Sequence, residues 1–254
     1  MDDNPLNVES FKKDSYIEKK EKIHVHKSLD MNMPIYHYLK FEYFLCILDN
    51  NRLYFSNREK LTDLREKGKK SNPKNVFRPT ICQFNSESER KLHFEQQRIL
   101  DSQIEVALNT CVSCWTYEET NKLPEDHLMW RAYGGHGIGI QIETKLGDLL
   151  DSFKNLQHDI VVNTVDYVKE RAIYTVEEAI FMKDIAYKSE RELRLCTLCN
   201  EKQLEIDIEP EMFIHQIRLS PFISKQYATF LKNALELEYP YLKGKIKKSE
   251  ILEY

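Results

Sequence analysis

The chain has 254 residues, 41% hydrophobic and 31% charged, with a net charge of −4. That is length enough for a sizeable core and an ordinary soluble composition. It argues against the basic footprint of a phosphate-gripping protein and against a small disulfide scaffold, since six cysteines are too sparse for one.

The N-terminus, MDDNPLNVESFKKDS, is polar and lacks the apolar stretch of a secretory signal, and no apolar run reaches the ~18–20 residues of a membrane span. The expected setting is cytoplasmic, away from membranes, with reduced thiols. Residues 1–33 read as a polar lead-in and residues 34–254 as a single α+β domain, because no repeat, linker or composition shift divides them. Two basic runs, at residues 67–70 and 243–248, read as solvated loops.

From residue 34 the elements alternate. Residues 35–38 form a short aromatic strand, and Phe41, Phe44, Leu45 and Leu48 recur at helical spacing. Residues 53–56 are a second strand, and 57–80 a long polar loop. Ser86-x-x-Glu89 is a capping box opening a helix to about residue 108. Then come a strand at 111–115, a helix at 125–133, a strand at 138–143, a short helix at 148–153 and a β-branched strand at 160–168. Thr175-x-x-Glu178 caps a helix running toward residue 188. Strands at 193–198, 204–208 and 214–219 and a helix at 224–237 complete the chain. Without a regular βαβ rhythm, the pattern predicts a mixed, mainly antiparallel sheet with surrounding helices.

Two Cys-x-x-Cys pairs, Cys111/Cys114 and Cys196/Cys199, contain enough thiols for zinc, but both lie in apolar β-prone runs. On a strand, residues three apart face opposite sides, so buried thiols are the simpler reading and no metal is expected. Residues 134–139 hold four of the seven glycines. They suit a tight helix-to-strand turn where backbones approach closely, and also the rim of a cleft beside Trp130 and Tyr133. His37 alternates with Tyr36 and Tyr38, and Tyr54 shares a strand face with Ser56. A lone histidine so placed serves structure or function alike. Glu190, Glu192 and Arg194 are the sharpest cluster. On a helix they form a weak solvated ion pair. On a strand all three project to one side, placing two carboxylates about 7 Å apart beside a guanidinium.

Four blocks in order, IYHYLKFEYFLCILDNNRLYFSN, CWTYEETNKLPEDHLMWRAYGGHGIGIQIE, FMKDIAYKSERELRLC and IHQIRLSPFIS, make residues 34–225 resemble the bacterial family catalogued as domain of unknown function 2971. That family carries an aromatic-Lys-aromatic strand, "LYFS", "LMW-x-x-Tyr" and "K-x-x-x-W-x-x-E-x-E-x-R". Here the strand lysine is His37, the tryptophan is Tyr187, and the family's Asn-Asp-Pro-Phe-Glu run is replaced around Asp63 and Glu66. More distantly, the order of an aromatic-His strand, "LYFS" and a late Glu-x-Glu is similar to that of NAD-using ADP-ribosyltransferases. That resemblance implies a split sheet with NAD, as substrate, in its cleft. It implies His37, Tyr38, Tyr54, Ser56, Trp130, Tyr133 and Arg194 as NAD-binding residues, with Glu192 catalytic and Glu190 its helper toward the acceptor. The resemblance further implies a macromolecular acceptor, protein or nucleic acid, and a toxin or anti-phage setting. The competing expectations are a module that binds a nucleotide or phage component without chemistry, and a metal-dependent nuclease.

Overall fold

The computed structural model describes residues 11, 13–58, 86–107, 110–118, 125–134, 137–169, 175–197 and 203–251. The first described strands form a hairpin of β1 (Tyr16–Lys20) and β2 (Ile23–His26). Then come β3 (Pro34–Lys40), α1 (Phe41–Asn50) and β4 (Arg52–Asn57). Next are α2 (Glu87–Ala107), β5 (Cys111–Tyr117), α3 (His127–Tyr133), β6 (Gly139–Lys145) and α4 (Leu146–Asp151). β7 (Ile160–Thr164), β8 (Asp166–Val168), α5 (Val176–Phe181) and β9 (Met182–Asp184) lead through a 3-10 turn, Ile185–Glu190, into β10 (Glu192–Thr197). β11 (Gln203–Asp207), α6 (Pro210–Phe213), β12 (Gln216–Leu219), α7 (Lys225–Glu238) and β13 (Ile246–Lys248) follow, and 3-10 turns at Lys13–Ser15 and Pro240–Leu242 complete the described elements. No described helix is long and apolar enough to cross a membrane.

The fold is α+β. An 11-stranded open sheet runs in the order β1-β2-β7-β10-β5-β3-β6-β12-β13, with β4 joined to β5 and β11 to β4. Its pairings are antiparallel except β2 with β7 and β12 with β13. Strand alternation sets its two faces. On β10, Leu193 and Leu195 point into the larger core with Trp115, Phe44, Phe153 and Phe213. Cys196, on the opposite face, packs with Val112, Val161 and Ile180 of α5.

The sheet is split at β5. One edge of β5 pairs along its length with β10, from Glu192↔Thr116 to Thr197↔Cys111. Its other edge is shared: Tyr117 and Thr116 pair with Ile35 and Tyr36 of β3, whereas Val112 and Cys111 pair with Ser56 and Asn57 of β4. β3 and β4 diverge between these pairings because α1 connects them. Phe44, Ile47 and Leu48 anchor α1 to the core, and Asn51, left-handed at φ 52°, ends it. Asparagine tolerates that conformation at low cost, which lets the chain turn directly into β4.

Several sequence expectations change here. The lead-in expected over residues 1–33 contributes the hairpin at the sheet edge. The apolar members of Ile23-His24-Val25-His26 are fully buried, a period-two signal hidden by neighbouring lysines and glutamates. The Thr175–Glu178 capping box forms, but its helix ends at Phe181, and residues 182–184 pair with β8. The expected strand at 160–168 divides at Val165 into β7 and β8. The basic run at 243–248 includes an edge strand, because Ile246 is buried against β12 while the lysines flank it. The loop expected over 57–80, the basic run within it and Cys199 lie mostly or wholly outside the described residues.

Candidate functional site

The gap between β3 and β4 is a cavity of about 590 Å³, within the range of small-molecule sites. β3 contributes Tyr36, His37 and Tyr38, and β4 contributes Tyr54 and Ser56. Tyr43, Cys46 and Ile47 of α1, residues 112–116 of β5, and Met129, Ala132 and Tyr133 of α3 form further walls, with Glu190 and Glu192 beside them. The register puts Tyr36, Thr116 and Glu192 on one face of the sheet and His37 on the other. The cavity passes through the split, so residues of both faces reach it.

His37 stacks on Trp115 with ring centroids 4.8 Å apart. Its Nδ1 lies 3.0 Å from the Cys114 carbonyl oxygen. A carbonyl only accepts, so Nδ1 carries the proton and Nε2 is left as the acceptor of the neutral ring. Burial, opposed only by this hydrogen bond, pulls the imidazolium from its ordinary 6.5 to about 4. At neutral pH His37 is therefore an uncharged hydrogen-bonding group.

Glu192 begins β10, where its backbone N–H donates to the Tyr167 hydroxyl at 2.8 Å. Arg194, two residues on, grips it with both prongs: Nε to Oε1 at 2.7 Å and Nη2 to Oε2 at 3.0 Å. Lys183 Nζ stands 3.2 Å from Oε2. Burial alone would push this carboxyl up, but Arg194 and Lys183 outweigh it and hold Glu192 at about 2. Glu190 behaves oppositely. Burial raises its carboxyl above the ordinary range even though Lys183, 2.7 Å away, pulls it down. Two adjacent carboxylates thus have proton affinities driven apart, an arrangement suited to dividing charge stabilisation from proton transfer.

The expected period-two run of Glu190, Glu192 and Arg194 is broken. Glu190 ends the 3-10 turn, and Arg191 adopts a left-handed φ of 44° before the strand begins. That conformation is unfavourable for a residue with a Cβ. It nonetheless returns Glu190 to the same lysine that Glu192 uses.

His37, Tyr38, Tyr54, Ser56, Tyr133, Glu190 and Glu192 all line the cavity. Trp130 and Arg194 do not. Trp130 is fully buried behind Tyr38, edge-on at 5.1 Å, with Nε1 donating to Glu125. Arg194 has no exposure and spends its remaining prong on the Ile180 carbonyl of α5, so it supports Glu192 from behind. Tyr38 lines the cavity but is also a scaffold. Its hydroxyl accepts from the Asp126 backbone N–H at 3.0 Å and from Gln141 at 2.6 Å, which fixes the start of α3. Asp126 caps that helix, and Tyr133 at its far end stands at the cavity.

The turn after Tyr133 needs glycine at two places. A Cβ on Gly139 would stand 2.8 Å from Gly134 Cα, and one on Gly134 would stand 2.7 Å from the Trp130 carbonyl oxygen. Cys111 and Cys114 point to opposite faces of β5, one paired with Thr197 and the other with Arg194. Among the described residues no group of three His, Cys, Asp or Glu side chains is placed to hold a metal ion. Lys183, buried between the two glutamates, was absent from the candidate residues. Its sequence signal was only the first letter of the quoted family motif, since a lone lysine within the helix expected to reach residue 188 ordinarily reads as solvated.

No protein-family model and no curated protein matches the chain.

Proposed function

We propose that the protein is an ADP-ribosyltransferase-like enzyme that uses NAD as substrate, in line with its more distant resemblance to NAD-using ADP-ribosyltransferases. One observation carries the reading: a neutral histidine, tyrosines and a paired set of glutamates, far apart in sequence, line one cavity at a split in the sheet. The chemistry suits them. As the nicotinamide–ribose bond breaks, nicotinamide leaves with the bonding electrons and positive charge builds on the sugar. The ionised Glu192 stabilises that charge, as carboxylates do in glycoside cleavage. A nucleophile on the acceptor forms the new bond to the ribose carbon and gives its proton to Glu190, whose raised proton affinity fits a base. Tyr54 and Tyr133 offer flat surfaces for the nicotinamide ring, and the acceptor nitrogen of His37 suits a ribose hydroxyl.

The test is nicotinamide release from NAD by the purified chain, alone and with nucleic acid or cell lysate. Turnover that disappears in Glu192→Gln supports the assignment. Full activity in that variant removes Glu192 from its role, and no binding of NAD by calorimetry overturns the reading altogether. A second reading, a module that binds a nucleotide and returns it unchanged, draws on the extent to which Arg194 and Lys183 already occupy Glu192. Saturable NAD binding without turnover under any acceptor condition selects it.

A further inference from the structure

Lys183 is 5% exposed and is the middle residue of β9, behind the two glutamates that line the cavity. Its ammonium stands 2.7 Å from Glu190 Oε2 and 3.2 Å from Glu192 Oε2, and 4.8 Å from the centre of the Tyr187 ring. A buried ammonium is costly unless compensated, and here two carboxylates and an aromatic face compensate it. The two carboxylates are not equivalent. Glu192 already has a dedicated cation in Arg194, whereas Lys183 is the cation that meets Glu190.

We propose that Lys183 is a positioning residue for the transfer reaction: its ammonium ties Glu190 to Glu192 on one side of the cavity and sets Glu190 as the ionised proton acceptor. The role in transfer rests on the NAD reading above; the ionic bridge does not. The groups facing Glu190 come from several elements: Lys183 of β9, Glu192 of β10 and Tyr133 of α3, with Tyr167 of β8 within electrostatic reach. Of these only Lys183 carries positive charge. Glu192 is a like charge, and the tyrosines stay protonated through the neutral range because burial raises them. Removing the lysine charge therefore leaves burial and a neighbouring anion, which favour the protonated form of Glu190, opposed by the Tyr133 hydroxyl hydrogen bond, the smallest of these influences. A cation this near ordinarily lowers a carboxyl by about 1–3 pH units, so its loss should raise the Glu190 midpoint by a similar amount.

The experiment is a carbon-13 NMR titration of the glutamate carboxyls in the full chain. The Glu190 signal is assigned by its absence in Glu190→Gln. Lys183→Met is expected to move the midpoint upward by at least about one pH unit, and Lys183→Arg to leave it near the wild-type value. An unchanged midpoint in Lys183→Met overturns the proposal. If Lys183→Met does not fold, the wild-type protein still decides. The Lys183 Nζ nitrogen signal, assigned with Lys183→Arg, should shift with the same midpoint as Glu190, and independent titration overturns the proposal. Where NAD is turned over, the acidic limb of kcat/KM in Lys183→Met should follow the Glu190 midpoint. A merely structural lysine would lower stability without moving that limb. Absence of NAD turnover in the wild type would remove the transfer role but leave the titration readable, so the two failures are distinct.

Discussion

Replacing Glu192 by glutamine removes one charge from a buried cluster and changes the shape of the side chain very little. Glu192 is 4% exposed, and its carboxyl is held at about 2 against an ordinary 4.5. The ionised form is thus favoured in the folded protein by about 3 kcal/mol, at roughly 1.4 kcal/mol per tenfold change in proton affinity. A depressed carboxyl stabilises above its unfolded value and loses that contribution as pH falls toward the folded one. Glu192→Gln should therefore cost about 3 kcal/mol at pH 7, a fall in Tm on the order of 6–12 °C for a chain of this size. The difference from wild type should shrink below pH 4.5, fall to roughly half by pH 3 and be mostly gone by about pH 2, where the folded wild-type chain also takes up the proton at this position. Urea unfolding of both proteins across a pH series reads the difference directly. A gap under about 1 kcal/mol at pH 7, or one that stays constant to pH 3, would refute the inference that Arg194 and Lys183 overcome the cost of burying this carboxylate.

Glu190→Gln should differ in sign. Its carboxyl is raised by burial, so ionisation at neutral pH opposes folding, and the neutral variant should be no less stable than wild type by the same unfolding assay. A loss equal to that of Glu192→Gln would contradict this. His37 should remain neutral with its proton on Nδ1 until the pH falls to about 4, and nitrogen NMR of the ring checks both statements; a midpoint near 6.5 would show that the ring is not buried as described. Gly139→Ala should cost about 1–3 kcal/mol, because its methyl meets backbone at 2.8 Å. Gly137→Ala, with no heavy atom of the described residues beyond its chain neighbours within 4 Å of the added carbon, should melt within a degree or two of wild type or above it.

Much of this architecture follows local rules. Apolar spacing in residues 41–48 specifies α1, and Thr175 with Glu178 specifies the start of α5. The alternation of Tyr36, His37 and Tyr38 is legible as a strand whose histidine turns away from its tyrosines, and β5 and β6 lie where their apolar runs indicate. The misses share a cause. In Ile23–His26 and Ile246–Lys248 the apolar residues are few and charged neighbours dominate a local average. These strands exist because a neighbouring strand offers an edge. The helix expected to reach residue 188 stops at Phe181 because Met182–Asp184 pair with β8, a partner no local pattern reveals.

The site divides the same way. Residue types and spacing mark His37 and the Glu190, Glu192 and Arg194 cluster as chemically capable, and the resemblance to ADP-ribosyltransferases is what assigns His37, Tyr54, Tyr133, Glu190 and Glu192 to one site. What the sequence cannot express is direction across the sheet and distance across the split. Only the tertiary structure decides that Trp130 supports Tyr38 from within the core and that Arg194 braces Glu192 from behind. It likewise makes an unremarked lysine the link between two carboxylates. The physical reason is that a charge's role depends on what is buried against it. For Lys183 and Arg194 those partners are set by the packing of α5, β9 and β10, not by neighbours in the chain.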